Sequence, residues 1–311
     1  MRIFVAGATG VIGRRVVPLL VQAGHDVTGA GRSAEKRAEL QRAGARGVSV
    51  DLFDAADVRR TVAGHDVVLN LATAVPKPWQ MFLPGGWRAM DRVRQRVSAT
   101  LADAALAGNT VGRIVQESFA PIYADSGDDW IDERSPLKPA RYNRSVLDAE
   151  SNALRVTAAG RAGVVLRFGG FYGPDDPYTM QMLDIVRRGW FPLFGRPEGY
   201  FSFVEHGDTA RAVVAALSVP PGIYNVAERE PMRRRDLAAG LAQLVGARAP
   251  HFFPPWVARL AGSLGETLGR SLRISSRKLE RAGDWTPRYS TTLDGFRAIV
   301  AGTSAGPKHV G

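Results

Sequence analysis

The chain has 311 residues, a formal net charge of +11 and no cysteine. Its 45% hydrophobic and 23% charged content is ordinary for a globular protein with a sizeable core. The lack of cysteine excludes a disulfide framework, a thiolate nucleophile and a Cys-ligated metal, and no metal site is expected. The N-terminus enters an apolar run at once, without the basic region and apolar core of a secretory signal. No apolar run is long enough to span a bilayer, so a cytoplasmic location is expected. The basic excess suits anionic partners. The basic residues are scattered, however, with Arg233-Arg234-Arg235 as the single triplet, which points to a phosphorylated cofactor rather than nucleic acid.

Arg2 to Ala6 is a short apolar run of strand formers. Glycines follow at Gly7, Gly10 and Gly13, and Val11 to Val21 then has helical spacing up to a stop at Gly24. Strand, glycine turn and helix in this order suit nucleotide binding. Glycines let a ligand approach the backbone, and the helix N-terminus offers free N–H groups to a pyrophosphate. A second strand is predicted over Asp26 to Ala30, a helix over Ser33 to Ala43, and a third strand over Gly47 to Val50. Asp54 caps a helix through Ala63, and Asp66 to Leu71 reads as a fourth strand with an almost continuous apolar face.

Ala74 to Gly86 is too irregular for an element, and a helix is predicted from Trp87 to Ala107. Strand five covers Arg113 to Glu117, and Ser118 to Pro139 reads as a long loop. A helix over Tyr142 to Ala159 and strand six over Gly163 to Phe168 follow. Strands alternating with helices imply an α/β fold with a doubly wound parallel sheet. Beyond Gly173 prolines break the rhythm, which suggests a smaller C-terminal lobe. The expected division is residues 1–173 for the nucleotide-binding part, with elements returning to it from about 201–226. Residues 174–303 then form the lobe, and 304–311 a flexible tail.

In such sheets the ligand lies beyond the carboxyl ends of the strands, where strand order reverses. That gathers Gly7 to Gly13 (with Thr9, Val11 and Ile12), Asp51-Leu52, Leu71-Ala72-Thr73 and Glu117-Ser118 along one crevice. An acid at the end of strand two would bind the ribose hydroxyls of NAD. Gly31 stands there instead, followed by Arg32 and, a turn on, Lys36. A guanidinium in place of a carboxylate suits a 2′-phosphate, so NADP is expected ahead of NAD.

At this point the chain resembles the short-chain dehydrogenase/reductase superfamily, in its extended or atypical epimerase/dehydratase-like branch with a Rossmann-like fold. GATGVIG at Gly7 to Gly13 is similar to its glycine motif, and Asp51-Leu52 to its adenine-contacting pair. LRFGGFYGP at Leu166 to Pro174 resembles the segment that passes the nicotinamide, which places Phe168 at the cofactor. VEHGDTARAVVAAL at Val204 to Leu217 and YNVA at Tyr224 to Ala227 look like its C-terminal signatures.

The resemblance implies catalysis by a Ser or Thr, a Tyr and a Lys. Tyr142, Ser145 and Glu150 match the family's tyrosine segment, but Val146 occupies the lysine position. An ungapped overlay puts Phe119 where the serine belongs, with Ser118 one residue early. Tyr142 and Ser118 are therefore the candidate catalytic residues, with Glu117, Tyr123 and Tyr172 as other acid–base groups. His206 reads as a structural residue. The implied function is an NAD(P)-dependent oxidoreductase or epimerase acting on a small hydroxyl- or carbonyl-bearing metabolite through a non-standard site. The alternative is a non-catalytic NADP-binding sensor of the same fold. The resemblance also implies a homodimer paired through the helices at Trp87 to Ala107 and Tyr142 to Ala159. Neither a membrane nor nucleic acid is an expected partner.

Overall fold

The computed structural model describes residues 1–83 and 85–304. Seven parallel strands form the central sheet in the order β10-β7-β5-β4-β1-β2-β3. The strands are β1 (Arg2–Ala6), β2 (Asp26–Ala30), β3 (Arg46–Val48), β4 (Val67–Asn70), β5 (Arg113–Phe119), β6 (Trp130–Ile131), β7 (Ala162–Phe168), β8 (Gly170–Tyr172), β9 (Phe203–Glu205), β10 (Gly222–Val226) and β11 (Arg273–Ile274). Two short parallel pairs, β8 with β9 and β6 with β11, lie outside the main sheet.

Both faces of the sheet are covered, and the alternation along β1 shows how. Ile3 and Val5 pack into a core with Val16 and Leu20 of helix α1 (Gly13–Gln22) and Leu40 of α2 (Ala34–Arg42). Phe4 and Ala6 face the other way, into a core with Val58 and Val62 of α3 (Ala55–Val62). Successive side chains of a strand point to opposite faces, so a strand buried on both must be apolar throughout. Further along the chain come α4 (Arg88–Arg92), α5 (Ser98–Ala107), α6 (Val146–Ala158), α7 (Pro177–Arg187) and α8 (His206–Ala215). The last helices are α9 (Arg234–Leu244), α10 (Pro255–Leu260), α11 (Gly262–Gly269), α12 (Arg277–Ala282) and α13 (Thr292–Ser304). Leu101 of α5 and Val156 of α6 join the core beneath Phe4, whereas Val213 of α8 joins α1 on the opposite side.

A second core lies apart from the sheet. It is built from Tyr123 and Ile131, from Leu183 and Val186 of α7, from Leu237 and Leu241 of α9, and from Phe296 of α13. Strand β10 returns from this region to the sheet edge, pairing Gly222 with Val164 through Val226 with Phe168.

Several elements differ from the sequence expectation. The helix expected from Trp87 to Ala107 is α4 and α5 joined by a π turn over Val93–Val97. The helix expected from Tyr142 starts at Val146, after a run of turns over 141–145, because Asn143 and Val146 close tight backbone bonds there. The irregular stretch before Trp87 contains a 3₁₀ turn, Pro78–Phe82, and the long loop after Ser118 contains another, Ala120–Ile122, besides β6. Strand β3 starts one residue and ends two residues earlier than expected, and Ser304 ends α13. The remainder of the expected tail, 305–311, lies outside the described residues.

Candidate active site

The glycine turn is explained by what surrounds each glycine. Gly7 has φ +79°, and a Cβ there would strike the backbone of Leu71 on the neighbouring strand's end. At Gly13 a Cβ would overlap the Gly7 carbonyl, so this glycine lets α1 sit against the turn. Gly10 differs: it is exposed, and its Cβ would meet only the Gly7 carbonyl oxygen, at 3.2 Å. The space over Gly10 and the α1 N-terminus is open, and a helix start with free N–H groups suits an anionic group. The first intrahelical bonds run from Arg14 and Val16 back to Gly10 and Ile12. Among the described residues the N–H groups of Val11, Ile12 and Gly13 have no partner.

The other cofactor candidates line the strand ends. Thr9 and Ile12 are half-buried, Val11 and Thr73 exposed, and Ala72 half-buried beside the buried Leu71. Asp51 accepts the Phe53 N–H at 2.9 Å, and the Leu52 carbonyl accepts the Thr100 hydroxyl. Arg32 is exposed just past β2. Lys36 is already paired, its Nζ lying 2.9 Å from Glu39. Gly31 has a packing reason of its own, since a Cβ would press on Arg37 of α2. Arg37, which the sequence reading passed over, donates to the Gly31 carbonyl at 3.0 Å and so brings a second guanidinium to the end of β2. Phe168 is 0% exposed, packed in the sheet core with its ring near Phe171.

Ser118 has its hydroxyl engaged by a buried carboxylate. It donates to Glu150 Oε1 at 2.5 Å. Arg167 holds the same carboxylate from both ends, Nε to Oε1 at 2.8 Å and Nη2 to Oε2 at 2.7 Å. Arg167 Nη1 donates to the Tyr123 hydroxyl, which donates to Asn225. All five side chains are buried. Their network binds β5, α6, β7 and β10 together and leaves neither Ser118 nor Tyr123 a free hydroxyl. Burial pushes Tyr123 up to about 12, with Arg167 pulling it back.

Tyr142 is placed differently. It lines a cavity of about 480 Å³ with Met81, Leu83, Trp87, Leu260 and Leu264, and the exposed Arg88 and Arg141 stand at that cavity too. Its ring lies on Trp87 with centroids 4.6 Å apart, and Trp87 is anchored through Nε1 to the Met81 carbonyl. Tyr142 is 7% exposed and its hydroxyl has no formed hydrogen bond. Burial pushes it up to about 12, with the hydroxyl of Thr267 nearby and the charges of Arg94 and Arg270 drawing it back. Such a phenol is protonated throughout the neutral range and is an acid, not a base. Val146 is buried, so no ammonium enters from α6.

Glu117, at the carboxyl end of β5, is buried, which raises its carboxyl above the usual range; Arg94 opposes that rise and Glu150 adds to it. Tyr172 is buried in the second core, stacked on Phe296 at 5.1 Å, and is raised by burial. His206 is buried as well, and desolvation lowers it to about 4, which keeps the imidazole neutral. The Arg233–Arg235 triplet is engaged beside the second core. Arg233 pairs with Asp128, and the buried Arg234 donates to the carbonyls of Leu268 and Arg270.

Residues 3–227 match the NAD dependent epimerase/dehydratase family, and the chain belongs to it. It is 31% identical over 310 residues to a 3-diazoavenalumate denitrifying reductase of a Streptomyces species, covering 95% of this chain and 99% of that one. A 4-hydroxy-2-methyl-3-oxo-4-farnesyl-3,4-dihydroquinoline-1-oxide ketoreductase of Stigmatella aurantiaca is 27% identical over 283 residues, 88% of this chain and 82% of its own. Among solved structures, human epimerase family protein SDR39U1 with NADPH superposes with a TM-score of 0.77 at 20% identity, covering 97% and 99% of the two chains. The family is NAD(P)-dependent, and full-length relatives are named reductases. No helix among the described residues is long and apolar enough to cross a membrane.

Proposed function

We propose that the protein is an NADPH-dependent reductase of a carbonyl compound with an apolar body, with Tyr142 as the proton donor. The observation that carries this reading is the buried, unpartnered Tyr142 hydroxyl at the cavity wall, without the lysine that would make it a base. The N–H groups of residues 11–13 would hold the pyrophosphate, and Arg32, with Arg37 beside it, the 2′-phosphate. When bound, the cofactor supplies a hydride to the carbonyl carbon. Tyr142 gives its proton to the carbonyl oxygen, yielding an alcohol and a phenolate that water reprotonates. Trp87 fixes the ring, and the cavity stays open to the water that restores the phenol, with Arg88, Asp91 and Arg141 as its polar side. The second core, with α10 and α11, forms the substrate lobe, and Leu260 and Leu264 set the preference for an apolar body. The reductase names of the two relatives support the direction of reaction.

The test is NADPH oxidation with a panel of aromatic and aliphatic ketones, parent against Tyr142→Phe. The phenylalanine variant should lose about a hundredfold or more in rate while binding NADPH as before. Equal rates would remove Tyr142 from the chemistry. Tight NADPH binding with no turnover on any ketone would favour the sensor reading, which the replacement of two family catalytic residues by Phe119 and Val146 also supports.

A further inference from the structure

The helix from Arg88 to Ala107 runs beside the turn and helix that carry Tyr142, and the contacts between them form a ladder. Trp87 lies on Tyr142, Ser145 donates to Asp91 at 2.7 Å, Gln95 donates to Asp148 at 2.9 Å, and Asn152 donates to Ser98 at 2.9 Å. Residue 94 falls between the rungs at 91 and 98. It therefore stands level with the first turn of α6, where Val146 occupies the family's lysine position. Residue 94 is an arginine, lies within the π turn Val93–Val97, and is only 6% exposed. Its Nη1 is buried with no hydrogen-bond partner. No acid lies within ion-pair distance of it among the described residues. The buried Glu117 feels the same charge without an ion pair being formed; an orphaned buried N–H is costly, and π turns concentrate at functional sites.

We propose that Arg94 is a positioning residue that takes over the missing lysine's electrostatic role from the facing helix, holding the charge left on Tyr142 when its proton is transferred. The inference rests on the reading of Tyr142 as the acid. Its charge already draws down both Tyr142 and Glu117 against the effect of burial. Arginine differs from lysine in one respect that matters here. It stays protonated even when buried, so it can stabilise a phenolate but takes no part in proton relay. Other charged groups face the same phenol: Arg88 and Asp91 from α4, Arg141 from the turn, and Arg270 beyond α11. Asp91 is engaged by Ser145, and Arg270 is held by Glu266 at 2.9 Å and by the Tyr123 and Lys138 carbonyls. Arg94 has no such commitment for its Nη1.

The test needs no substrate. With 3,5-difluorotyrosine incorporated at Tyr142, whose phenol is more acidic than tyrosine's, the ionisation of that one ring is followed by fluorine NMR. Arg94→Gln should raise the midpoint by about one pH unit or more, the size expected for removing a nearby opposite charge. Arg94→Lys should change it by less than half as much. Adding Val146→Lys to Arg94→Gln should bring the midpoint back toward the parent value. Arg94→Met, whose unbranched apolar side chain suits a buried site, serves if the glutamine variant fails to fold, and should show the same rise. An unchanged midpoint in a folded Gln or Met variant, or no recovery on adding Val146→Lys, would overturn the proposal. The outcome is separable from the catalytic reading. Parent-like ketone reduction by Tyr142→Phe would sink that reading with the fluorine midpoints untouched. A fixed midpoint in Arg94→Gln would sink only the role of Arg94.

Discussion

Side chains of one type behave differently here according to what surrounds them. Gly7 and Gly13 are fixed by backbone that a Cβ would strike, whereas Gly10 faces open space. Gly10→Val should therefore give a folded protein that no longer binds NADPH, as read by fluorescence titration; Gly13→Val should lose stability outright. Undiminished binding by Gly10→Val would remove the pyrophosphate from this turn. Arg32 should likewise act on one cofactor only. A charge-assisted hydrogen bond contributes about 1.5–3 kcal/mol, so Arg32→Ala should weaken NADPH binding by roughly ten- to a hundredfold and leave NADH almost unchanged. Equal losses for both would show that the guanidinium does not read the 2′-phosphate. At this scale the sequence was most legible where a residue answers to its immediate neighbours. Asp54 caps its helix as expected, whereas Ser33, expected as the first helical residue, is the cap of α2 and accepts the Lys36 N–H. Ser118 was opaque, because the carboxylate that accepts its hydrogen bond is 32 residues away.

Elements with local signals, such as β1 and β2, have the bounds that their apolar runs suggest. Asp54 accepts the N–H groups of Ala56 and Asp57 at the start of α3, so Asp54→Ala should lower stability by about 1 kcal/mol in urea unfolding, with cofactor affinity retained. An unchanged midpoint would mean that water serves those donors equally well. The π turn was not legible, since an extra residue per turn leaves no mark on composition. One hint was available: Arg94 breaks the apolar stripe of Met90, Val97 and Leu101, and a charge in such a stripe asks for a reason. The late start of α6 was equally hidden. It leaves Tyr142 in the turn ahead of α6 and Val146 at the first helical position.

The molecule joins two cores through a few long-range ties. Arg14 and Arg15, at the start of α1, both hold Asp175 in the segment leaving the sheet. His206 sits close by, its Nδ1 buried without a partner against Gly173. Its folded value of about 4 lies below the unfolded 6.5. The stability it contributes is thus complete above pH 6.5 and is lost as pH falls from there towards 4, because the unfolded chain binds the proton first. The loss should reach at most about 3 kcal/mol. His206→Gln should flatten this part of the stability profile, and an unaltered slope would place the acid sensitivity elsewhere.

Strand β10 meets β7 only after 53 intervening residues have built part of the second core, from β8 to α8. For a chain emerging from the ribosome this fixes an order of events. The edge of β7, with Val164, Val165 and Leu166, is complete while its cover is still being synthesised. An apolar strand with a free edge is a template for another chain. Expression of residues 1–173 alone would leave that edge open permanently, and the sheet would then find its seventh strand in a neighbour and aggregate.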